Sequence, residues 1–527
     1  MTKLFFLLVA IHLSILGMAQ KPTYQSTEAY RASAATKEYY IVDKKNDRFL
    51  VIKNAPSLGN AAKISIASTA MGILNMEKAQ TVTLPRENSY LLGTILFNEV
   101  PHLIFGAKEA DKRSVYSVPI NSKTSDIEGE SVRLIDKDDN LHTDARMKAF
   151  GAPDNKTFTV LLNEHPSKIK YDQPAKLNGH ILSDQFPNNV KHFSTVFPYN
   201  NADIDLDHNL PQYPKITAYP PDVLYLEIHI RKTREVPHPN PKNKSTVSKT
   251  VSGREVFKLD LTTGQIQTVE VPTRDKVFVN NKVFKTPDGQ VMLVGCYRSE
   301  DASTDDIKGF YTLLLNEEGE VRKPQYHEIP KEVIYQYEWA GSDTKSKFKD
   351  LLFWKYLSPT QLVFTEDDGM VIYANIQLYA SRNSSGYLDL DIISMKINKE
   401  GRVVWTTKIP KQQEARRKPN TIGAFSAYYK GKHYFIYIDH PKNLTIKEGK
   451  PPTTYYDMPK MMYLATIDDK TGQLNRQHFL DFIQNDTPNK YMWFYTKGVK
   501  QIAPNEIMMK LTVDLGNDAV LKITLPE

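Results

Sequence analysis

MKINKEGRVVWTTKI, residues 395–409, leads an apolar strand into an Asn and a Gly and then out into a second apolar strand. Gly supplies the left-handed backbone that a tight hairpin turn requires, and the Asn or Asp side chain satisfies the turn backbone. The same pattern returns in FKLDLTTGQIQTVEV (257–271), LLLNEEGEVRK (313–323) and ATIDDKTGQLNRQHF (465–479), with a looser fifth copy in VPINSKTSDIEGESVRLI (118–135). The chain therefore repeats one strand–turn–strand unit.

The spacing of these hairpins predicts the architecture. The glycines of the four clear copies, Gly264, Gly319, Gly401 and Gly472, recur at intervals above the roughly 40–50 residues of compact propeller repeats. Runs of β-branched and aromatic residues, bounded by Gly, Asn, Asp and Pro, fill the sequence between them. We predict an all-β chain whose leading architecture is a β-propeller with four strands in each blade. Only residues 330–357 predict a short helix.

The number of blades follows from the starts of their first strands. These starts fall near Tyr39, Tyr90, Arg146, Ile216, Val277, Leu352 and Ala424. The C-terminal run KQIAPNEIMMKLTVDLGNDAVLKITL is expected to join the N-terminal strands YYIVD and RFLVI and to close the ring. We therefore predict about seven blades, with six or eight also compatible with the sequence. Two stacked sandwiches would require a central linker, and a β-solenoid would require a tighter repeat.

The N-terminal sequence MTKLFFLLVAIHLSILGMAQ has the three parts of a secretory signal peptide. Lys3 is the positive part, an apolar core follows, and Ala19 ends a small-residue cleavage site. The core is shorter than the roughly 20 residues that a membrane-spanning helix needs. The predicted segments are a signal peptide at 1–19, a polar leader at 20–37 and a single propeller domain at 38–527. We expect a periplasmic or extracellular protein.

Charge and cysteine content narrow the function classes. The formal net charge of +7 is mild for 527 residues, and the densest basic stretch, 231–249, reads as an exposed hairpin tip. We expect no nucleic-acid binding. Cys296 is the only cysteine, so no intramolecular disulfide can form, and its strand-like surroundings predict a buried, inert thiol. No cysteine follows the cleavage site to carry a lipid anchor, and no later run predicts a membrane span.

Four stretches between residues 285 and 445 stand in a fixed order. They are DGQVMLVGCYRSEDASTDDIKGFYTLLLNEEGEV, LVFTEDDGMVIYANIQLYA, YLDLDIISMKINKEGRVVWTTKIPKQQ and HYFIYIDHPKNL. In order and spacing they resemble a group of uncharacterised secreted β-rich proteins of Gram-negative bacteria. The resemblance implies secretion and a propeller-like fold, and it implies no activity.

Familiar catalytic motifs are absent from the sequence. It holds no G-x-S-x-G, H-E-x-x-H, C-x-x-C, G-x-G-x-x-G or G-x-x-x-x-G-K, so serine-hydrolase, zincin, thiol-redox, dinucleotide and P-loop hypotheses lose their usual anchors. An active site gathered from the loops of several blades would leave no such local motif.

The acidic stretch NNADIDLDHNLPQYP places Asp203, Asp205 and Asp207 at every second position. A calcium loop begins in this way, but His and Pro stand at the sixth and twelfth positions, where an EF-hand needs Gly and Glu. A solvated connecting loop is the favoured interpretation. The three aspartates remain weak candidates for Ca²⁺ ligands, and no other cofactor is expected.

Two further patterns were weighed for chemistry. YLDLD sets Asp389 and Asp391 before an apolar strand, either as an acid and base pair of a glycosidase or, as we favour, where a strand emerges into solvent. His433 and His440 flank one strand an odd number of positions apart, so we expect them on opposite sides of it rather than as paired ligands.

The aromatic content favours binding. The chain has 29 tyrosines, clustered at 425–438, 453–463 and 491–497, and aromatic side chains on loops suit sugar or peptide surfaces, although packing explains most of them. The leading prediction is an exported, non-catalytic binding or scaffold protein with a protein or polysaccharide partner. The alternatives are a carbohydrate-active hydrolase or lyase with carboxylates on channel-facing loops, and an accessory component of an envelope or secretion assembly.

Overall fold

The computed structural model describes most of the chain in separate stretches. These are residues 22–26, 30–31, 38–55, 62–72, 74, 79–109, 112–138, 147–151, 158–163, 170, 172–182, 190–200, 215–218, 223–237, 246–260, 263–269, 276–299, 307–315, 323–337, 356–380, 386–415, 423–447, 449–456, 461–481, 493–514 and 517–526. Strands dominate these residues. No helix among them is long and apolar enough to cross a bilayer.

Two short strands, β1 (Thr23–Ser26) and β2 (Tyr30–Arg31), come first. Blades 1 and 2 then contain β3 (Glu38–Asp43), β4 (Arg48–Ala55), β5 (Lys63–Ala70) and β6 (Gln80–Thr83), and β7 (Ser89–Phe97), β8 (Val100–Glu109), β9 (Lys112–Asn121), β10 (Asp126–Ile127) and β11 (Val132–Asp138). Blades 3 and 4 contain β12 (Met147–Gly151), β13 (Phe158–Asn163), β14 (Pro174–Leu182) and β15 (Val190–Asn200), and β16 (Lys215–Ala218), β17 (Val223–Pro237), β18 (Thr246–Asp260) and β19 (Ile266–Thr268).

Blade 5 contains β20 (Lys276–Lys285), β21 (Val291–Ser299), β22 (Gly309–Leu315) and β23 (Gln325–Glu328), and a five-residue helix, α1 (Lys331–Tyr335), follows it. Blade 6 contains β24 (Leu357–Phe364), β25 (Met370–Ala380), β26 (Gly386–Ile397), β27 (Val403–Ile409) and β28 (Gln413–Ala415). Blade 7 contains β29 (Ala424–Tyr429), β30 (Lys432–Asp439), β32 (Met461–Asp468) and β33 (Leu474–Asp481). The connection from β30 to β32 contains a 3₁₀ turn (Pro441–Asn443) and β31 (Tyr455–Tyr456), which joins the sheet of blade 6. Blade 8 contains β34 (Trp493–Ala503), β35 (Glu506–Asp514) and β36 (Asn517–Thr524).

The described strands form eight sheets that follow one another in a ring. Neighbouring strands in each sheet pair antiparallel, apart from the β28–β31 pair, and the first strands of successive blades contact one another at six of the eight junctions. The all-β propeller is therefore confirmed. The count is eight blades rather than the leading estimate of seven, and eight was one of the compatible numbers.

Ring closure explains the difference between seven and eight. Strand β1 pairs antiparallel with β36, with Thr23 opposite Thr524 and Ser26 opposite Leu521, so an N-terminal strand completes blade 8. This strand lies in the polar leader, and the predicted closing strands YYIVD and RFLVI instead form β3 and β4 of blade 1. Because the prediction joined both ends into one blade, it counted one blade too few. The predicted start at Leu352 also differs from the structure, where β24 begins at Leu357.

The repeated hairpin of the sequence is the turn between the third and fourth strands of a blade. Gly264, Gly401 and Gly472 occupy this turn in blades 4, 6 and 7 with φ of 71°, 79° and 69°. The preceding acidic or amide side chain accepts a turn N–H as predicted, for example Thr471 N to Asp468 Oδ1 at 2.9 Å. Gly319 lies outside the described residues.

The looser fifth copy occupies the same turn in blade 2, between β9 and β10. Asn121 Oδ1 accepts the backbone N–H groups of Lys123 and Thr124 at 3.0 and 3.2 Å. Ser125, with φ of 62°, holds the left-handed position that Gly holds in the other copies. The repeat in the sequence therefore reflects the repeat of the blades, because each described copy occupies the same turn of its blade.

The core is divided among the blade junctions. Eight apolar clusters occur in the described part of the chain, one at each junction, such as Ile41 with Leu103 between blades 1 and 2 and Phe49 with Met508 between blades 8 and 1. Cys296 belongs to the cluster between blades 5 and 6, and burial raises the pKa of its thiol well above the usual value. The predicted burial of the cysteine is confirmed, and its inertness stays a prediction.

Candidate functional site

The ring has two faces that differ in their connections. One face carries the turns between first and second strands and between third and fourth strands of each blade. The other, the loop face, carries the connections from second to third strands and from one blade to the next. The connections on the loop face are best described at blades 6 and 7.

Three segments far apart in sequence meet there. Strand β28 pairs with the start of β26, and β31, which belongs to the long connection of blade 7, pairs parallel with β28 in the sheet of blade 6. Tyr455 N donates to Gln412 O at 2.7 Å, and Gly449 N donates to Gln336 O, beyond α1, at 2.9 Å. The connection of blade 7 therefore ties the two blades and the helix together.

Asn443 fixes this connection from within. Its side chain is buried, Nδ2 donates to Asp439 Oδ1 at 2.9 Å and to Thr453 O at 2.8 Å, and Oδ1 accepts Thr453 N at 2.6 Å. All of these hydrogen bonds lie within the protein, so Asn443 stabilises the fold rather than binding a ligand.

An open groove of about 500 Å³ lies at the outer rim between α1, β27 and β33. We call it the rim groove, and its lining residues are Glu332, Val333, Gln336, Tyr337, Thr406, Thr407, Lys408, Gly472, Leu474 and Arg476. Most of these side chains are polar, unlike the apolar lining of a typical drug-sized pocket. The groove suits a polar ligand.

Arg476 supplies the rim groove with a positive charge. The side chain is half-buried, and one Nη1–H donates to the backbone oxygen of Asn443 at 2.7 Å. No carboxylate of the described residues forms an ion pair with it. The guanidinium is thus held through one N–H, and its other N–H groups form no hydrogen bond with the described residues.

Two threonines on β27 line the same groove, and their hydroxyls differ in hydrogen bonding. Thr407 Oγ1 donates to Gly472 O at 2.7 Å, so its hydroxyl is satisfied within the fold. Thr406 Oγ1 is shielded from solvent and has no hydrogen-bond partner among the described residues. A shielded hydroxyl without a partner is unusual in a folded protein.

A buried charge cluster lies directly beneath the groove. Lys408 Nζ contacts Asp391 Oδ2 at 3.0 Å and donates to Ile334 O at 3.1 Å, which ties the end of α1 to blade 6. Lys411 Nζ forms an ion pair with Asp389, and Lys411 N donates to Asp391 Oδ1 at 3.1 Å. These four charged side chains are each at most 2% exposed.

The interpretation that Asp389 and Asp391 mark a strand emerging into solvent is wrong. Both carboxylates are buried, because they lie two positions apart on β26 and pair with Lys408 on β27 and with Lys411 just beyond it. Asp389 also accepts Nδ2–H of Asn375 at 3.0 Å. The same contacts leave neither carboxylate facing an open site, as an acid and base pair would require.

The cluster contains one more carboxylate than it has lysines. Burial raises the pKa of Asp439 to about 7, against the opposing effects of its hydrogen bonds and of Lys411. Burial also lowers the pKa of Lys411 to about 7, and Asp439 opposes that shift. With Asp389, Asp391 and Asp439 facing Lys408 and Lys411, protonation of one carboxyl balances the buried charge.

A second polar cluster lies at the opposite face of the same junction. Lys396 Nζ contacts both Asp367 and Asp469 at 2.7 Å, and His433 Nε2 contacts Asp469 at 2.9 Å. His440 instead stands beyond the far end of β30, where its Nδ1 accepts the backbone N–H of Lys442 at 3.1 Å. The two histidines therefore serve separate ends of the strand.

The predicted calcium ligands Asp203, Asp205 and Asp207 lie outside the described residues, so calcium binding there stays a prediction. Within the described stretches, no group of three or more His, Cys, Asp or Glu side chains is arranged to hold a metal ion.

The innermost strands carry few carboxylates. Among the first strands of the eight blades, as far as the structure describes them, only β3 contains any, namely Glu38 and Asp43. Glu38 contacts Lys510 at 3.0 Å and Lys53 at 3.5 Å, and Asp43 accepts the hydroxyl of Ser122 at 2.7 Å. Both carboxylates are therefore occupied by internal partners.

Fold and site together define an eight-bladed β-propeller with a polar groove at its rim. No protein-family model and no curated protein matches the chain. Among solved structures it is similar to a prolyl endopeptidase (10% identity, TM-score 0.37, covering 93% of this chain and 54% of that one). It is also similar to polysaccharide lyase Uly1 (10%, 0.34, 85% and 92%) and to dipeptidyl peptidase 4 of Porphyromonas gingivalis (9%, 0.33, 91% and 65%).

The chain spans about half the length of the prolyl endopeptidase. Because the TM-scores are 0.37 or lower and the identities 10% or lower, these likenesses identify no family and assign no activity to this chain.

Proposed function

We propose that this protein is exported and that it binds a polysaccharide without cleaving it. The rim groove carries the proposal, because it is an open, mostly polar cavity of about 500 Å³ whose neighbouring carboxylates are already paired. Hydroxyl, amide, carboxylate and guanidinium groups line it, and these groups form hydrogen bonds with the many hydroxyls of a sugar chain. The predicted signal peptide at 1–19 supports export.

A protein partner is less well supported by the groove. Protein interfaces depend on a buried centre of aromatic or other large anchors that fit pockets. The apolar members of the lining, Val333 and Leu474, are only partly buried, and Tyr337 is almost fully buried. The groove therefore offers hydrogen bonds along a strip rather than one deep apolar pocket.

The absence of turnover is proposed from the carboxylates. Hydrolysis or elimination in a sugar chain requires an acid and a base that reach the substrate. The described carboxylates beneath the groove and on the innermost strands have lysine, amide or hydroxyl partners. Among the described carboxylates, only Glu332 lines the groove, and a single carboxylate does not form a glycosidase pair.

The test uses the chain from Gln20 onward, with a panel of neutral and acidic polysaccharides. Calorimetry measures binding, and the length of each polysaccharide is measured after prolonged incubation. We expect binding with no change in polysaccharide length. Shortened chains would show an enzyme, and recovery of a stoichiometric protein from the native envelope with no polysaccharide bound would favour the scaffold alternative.

A pair of variants tests whether the ligand binds in the groove. Val333→Trp fills the groove from α1, whereas Lys331→Trp adds the same ring to an exposed position of the same helix outside the lining. We expect the first to weaken binding at least tenfold and the second to leave binding unchanged. Equal effects would place the ligand elsewhere.

A further inference from the structure

One cation in the lining of the rim groove has no carboxylate partner. Arg476 on β33 donates one Nη1–H to the backbone oxygen of Asn443 and forms no ion pair with the described carboxylates. The other cation of the lining, Lys408, is already held by Asp391. The groove therefore contains one positive charge that no described carboxylate balances.

An arginine without a carboxylate partner favours a ligand that carries negative charge. A guanidinium bonds a carboxylate through two parallel N–H groups, with a geometry and strength that a neutral hydroxyl does not reach. The polar side chains beside Arg476, such as Gln336 and Glu332, can form hydrogen bonds with hydroxyls. One sugar residue that carries a carboxylate and hydroxyls meets both requirements.

Glu332 limits where the charge of the ligand can lie. Its carboxylate is exposed on the α1 side of the groove, and like charges repel at short range. The carboxylate of a ligand is therefore favoured on the β33 side, at Arg476, with sugar hydroxyls directed toward Glu332.

We propose, resting on the function proposed above, that the bound polysaccharide contains uronic acid units and that Arg476 recognises their carboxylates. Arg476 is thus the residue that distinguishes acidic from neutral chains, while the remaining lining accepts either.

The probes are oligogalacturonate and its fully methyl-esterified form, which share one chain and differ in charge. A poly-glutamate peptide supplies carboxylates without sugar. We expect the native protein to bind oligogalacturonate at least tenfold more tightly than the ester or the peptide, and added salt to weaken the acid complex more than the ester complex.

Matched variants distinguish recognition by Arg476 from the general attraction of an acidic ligand to a chain of net charge +7. Arg476→Gln is expected to reduce affinity for oligogalacturonate at least tenfold and to leave the ester unchanged. Arg402→Gln removes the same charge from an exposed turn outside the groove and should have little effect.

The outcomes separate the two proposals. Equal affinity for acid and ester, or equal losses in Arg476→Gln and Arg402→Gln, would overturn recognition by Arg476 and leave polysaccharide binding standing. Tighter binding of poly-glutamate would show an acidic peptide partner instead of a sugar. Binding of no polysaccharide by the native protein would overturn both proposals.

Discussion

At the scale of single residues, two blade junctions differ in the balance of their buried charges. Between blades 8 and 1, Lys53 and Lys510 face Glu38 and Asp518, so two positive and two negative groups balance. Between blades 6 and 7, three buried carboxylates face two lysines. Breaking a buried pair leaves an uncompensated charge, so both clusters define their junctions, but only the second holds a proton near neutral pH.

That excess carboxylate predicts a pH effect on stability. The pKa of Asp439 is raised to about 7 in the folded protein from 3.8, so between pH 5 and 7 the folded state binds more protons than the unfolded state. The contribution of this group to the free energy of unfolding therefore falls as pH rises through that window. Asp439→Asn should lose this dependence, so that the variant is less destabilised at pH 7 than at pH 5.

Asp367→Asn is the control for this pH effect. The hydrogen bonds that Asp367 accepts from Lys396 and Thr365 lower its pKa to about 2. Its stabilisation is complete above pH 4 and is lost only as pH falls further, so the loss in this variant should be constant from pH 5 to 7. Urea unfolding measures both variants, and parallel pH profiles would contradict the account.

Two glycines with the same backbone separate conformational strain from crowding. Gly431 and Gly472 both have φ of 69°, but a Cβ at Gly431 meets nothing within 4 Å, whereas one at Gly472 would lie 2.6 Å from Trp405 Cγ. Gly431→Ala should lose about 1–2 kcal/mol of unfolding free energy from the left-handed backbone alone. Gly472→Ala should lose a further ~1–3 kcal/mol from overpacking, and equal losses in denaturant unfolding would contradict this.

At the scale of the element, the hairpins were predictable because their chemistry is local. An Asn or Asp, a few polar residues and a Gly specify the turn between third and fourth strands without help from distant residues. Six of the seven predicted blade starts lie within one residue of the first strand of a blade, as Tyr90 does beside β7. Ring closure was harder to predict, because the four-residue strand β1 has little periodicity of its own and is defined by pairing with β36.

Strand β1 should be essential for a stable, monomeric ring. Without it, the outer edge of β36 would expose unpaired backbone groups, and such edges pair with other chains. A chain beginning at Lys37 should therefore melt at a lower temperature and form dimers or larger species. A chain beginning at Pro22 keeps both short N-terminal strands and is the control. Identical melting and a monomeric state in light scattering for both chains would contradict the role of β1.

At the scale of the whole molecule, the candidate site could not be predicted from sequence. The rim groove combines α1, β27 and β33, which belong to three successive parts of the ring and come together only after the blades have packed. No local pattern distinguishes Arg476 or Thr406 from other surface residues. The lysines of TTKIPKQQ could have been matched with YLDLD, but only if the pairing of β26 with β27 had been considered.

The central claim is that ligand binds at the rim between blades 6 and 7, and hydrogen–deuterium exchange tests it most directly. Strands β27 and β33 lie at the outer edges of their sheets, so part of their backbone exchanges readily in the free protein. Saturating oligogalacturonate should slow exchange in peptides covering 331–337, 403–409 and 474–481. Slowed exchange in the innermost strands, with these three segments unchanged, would contradict the account.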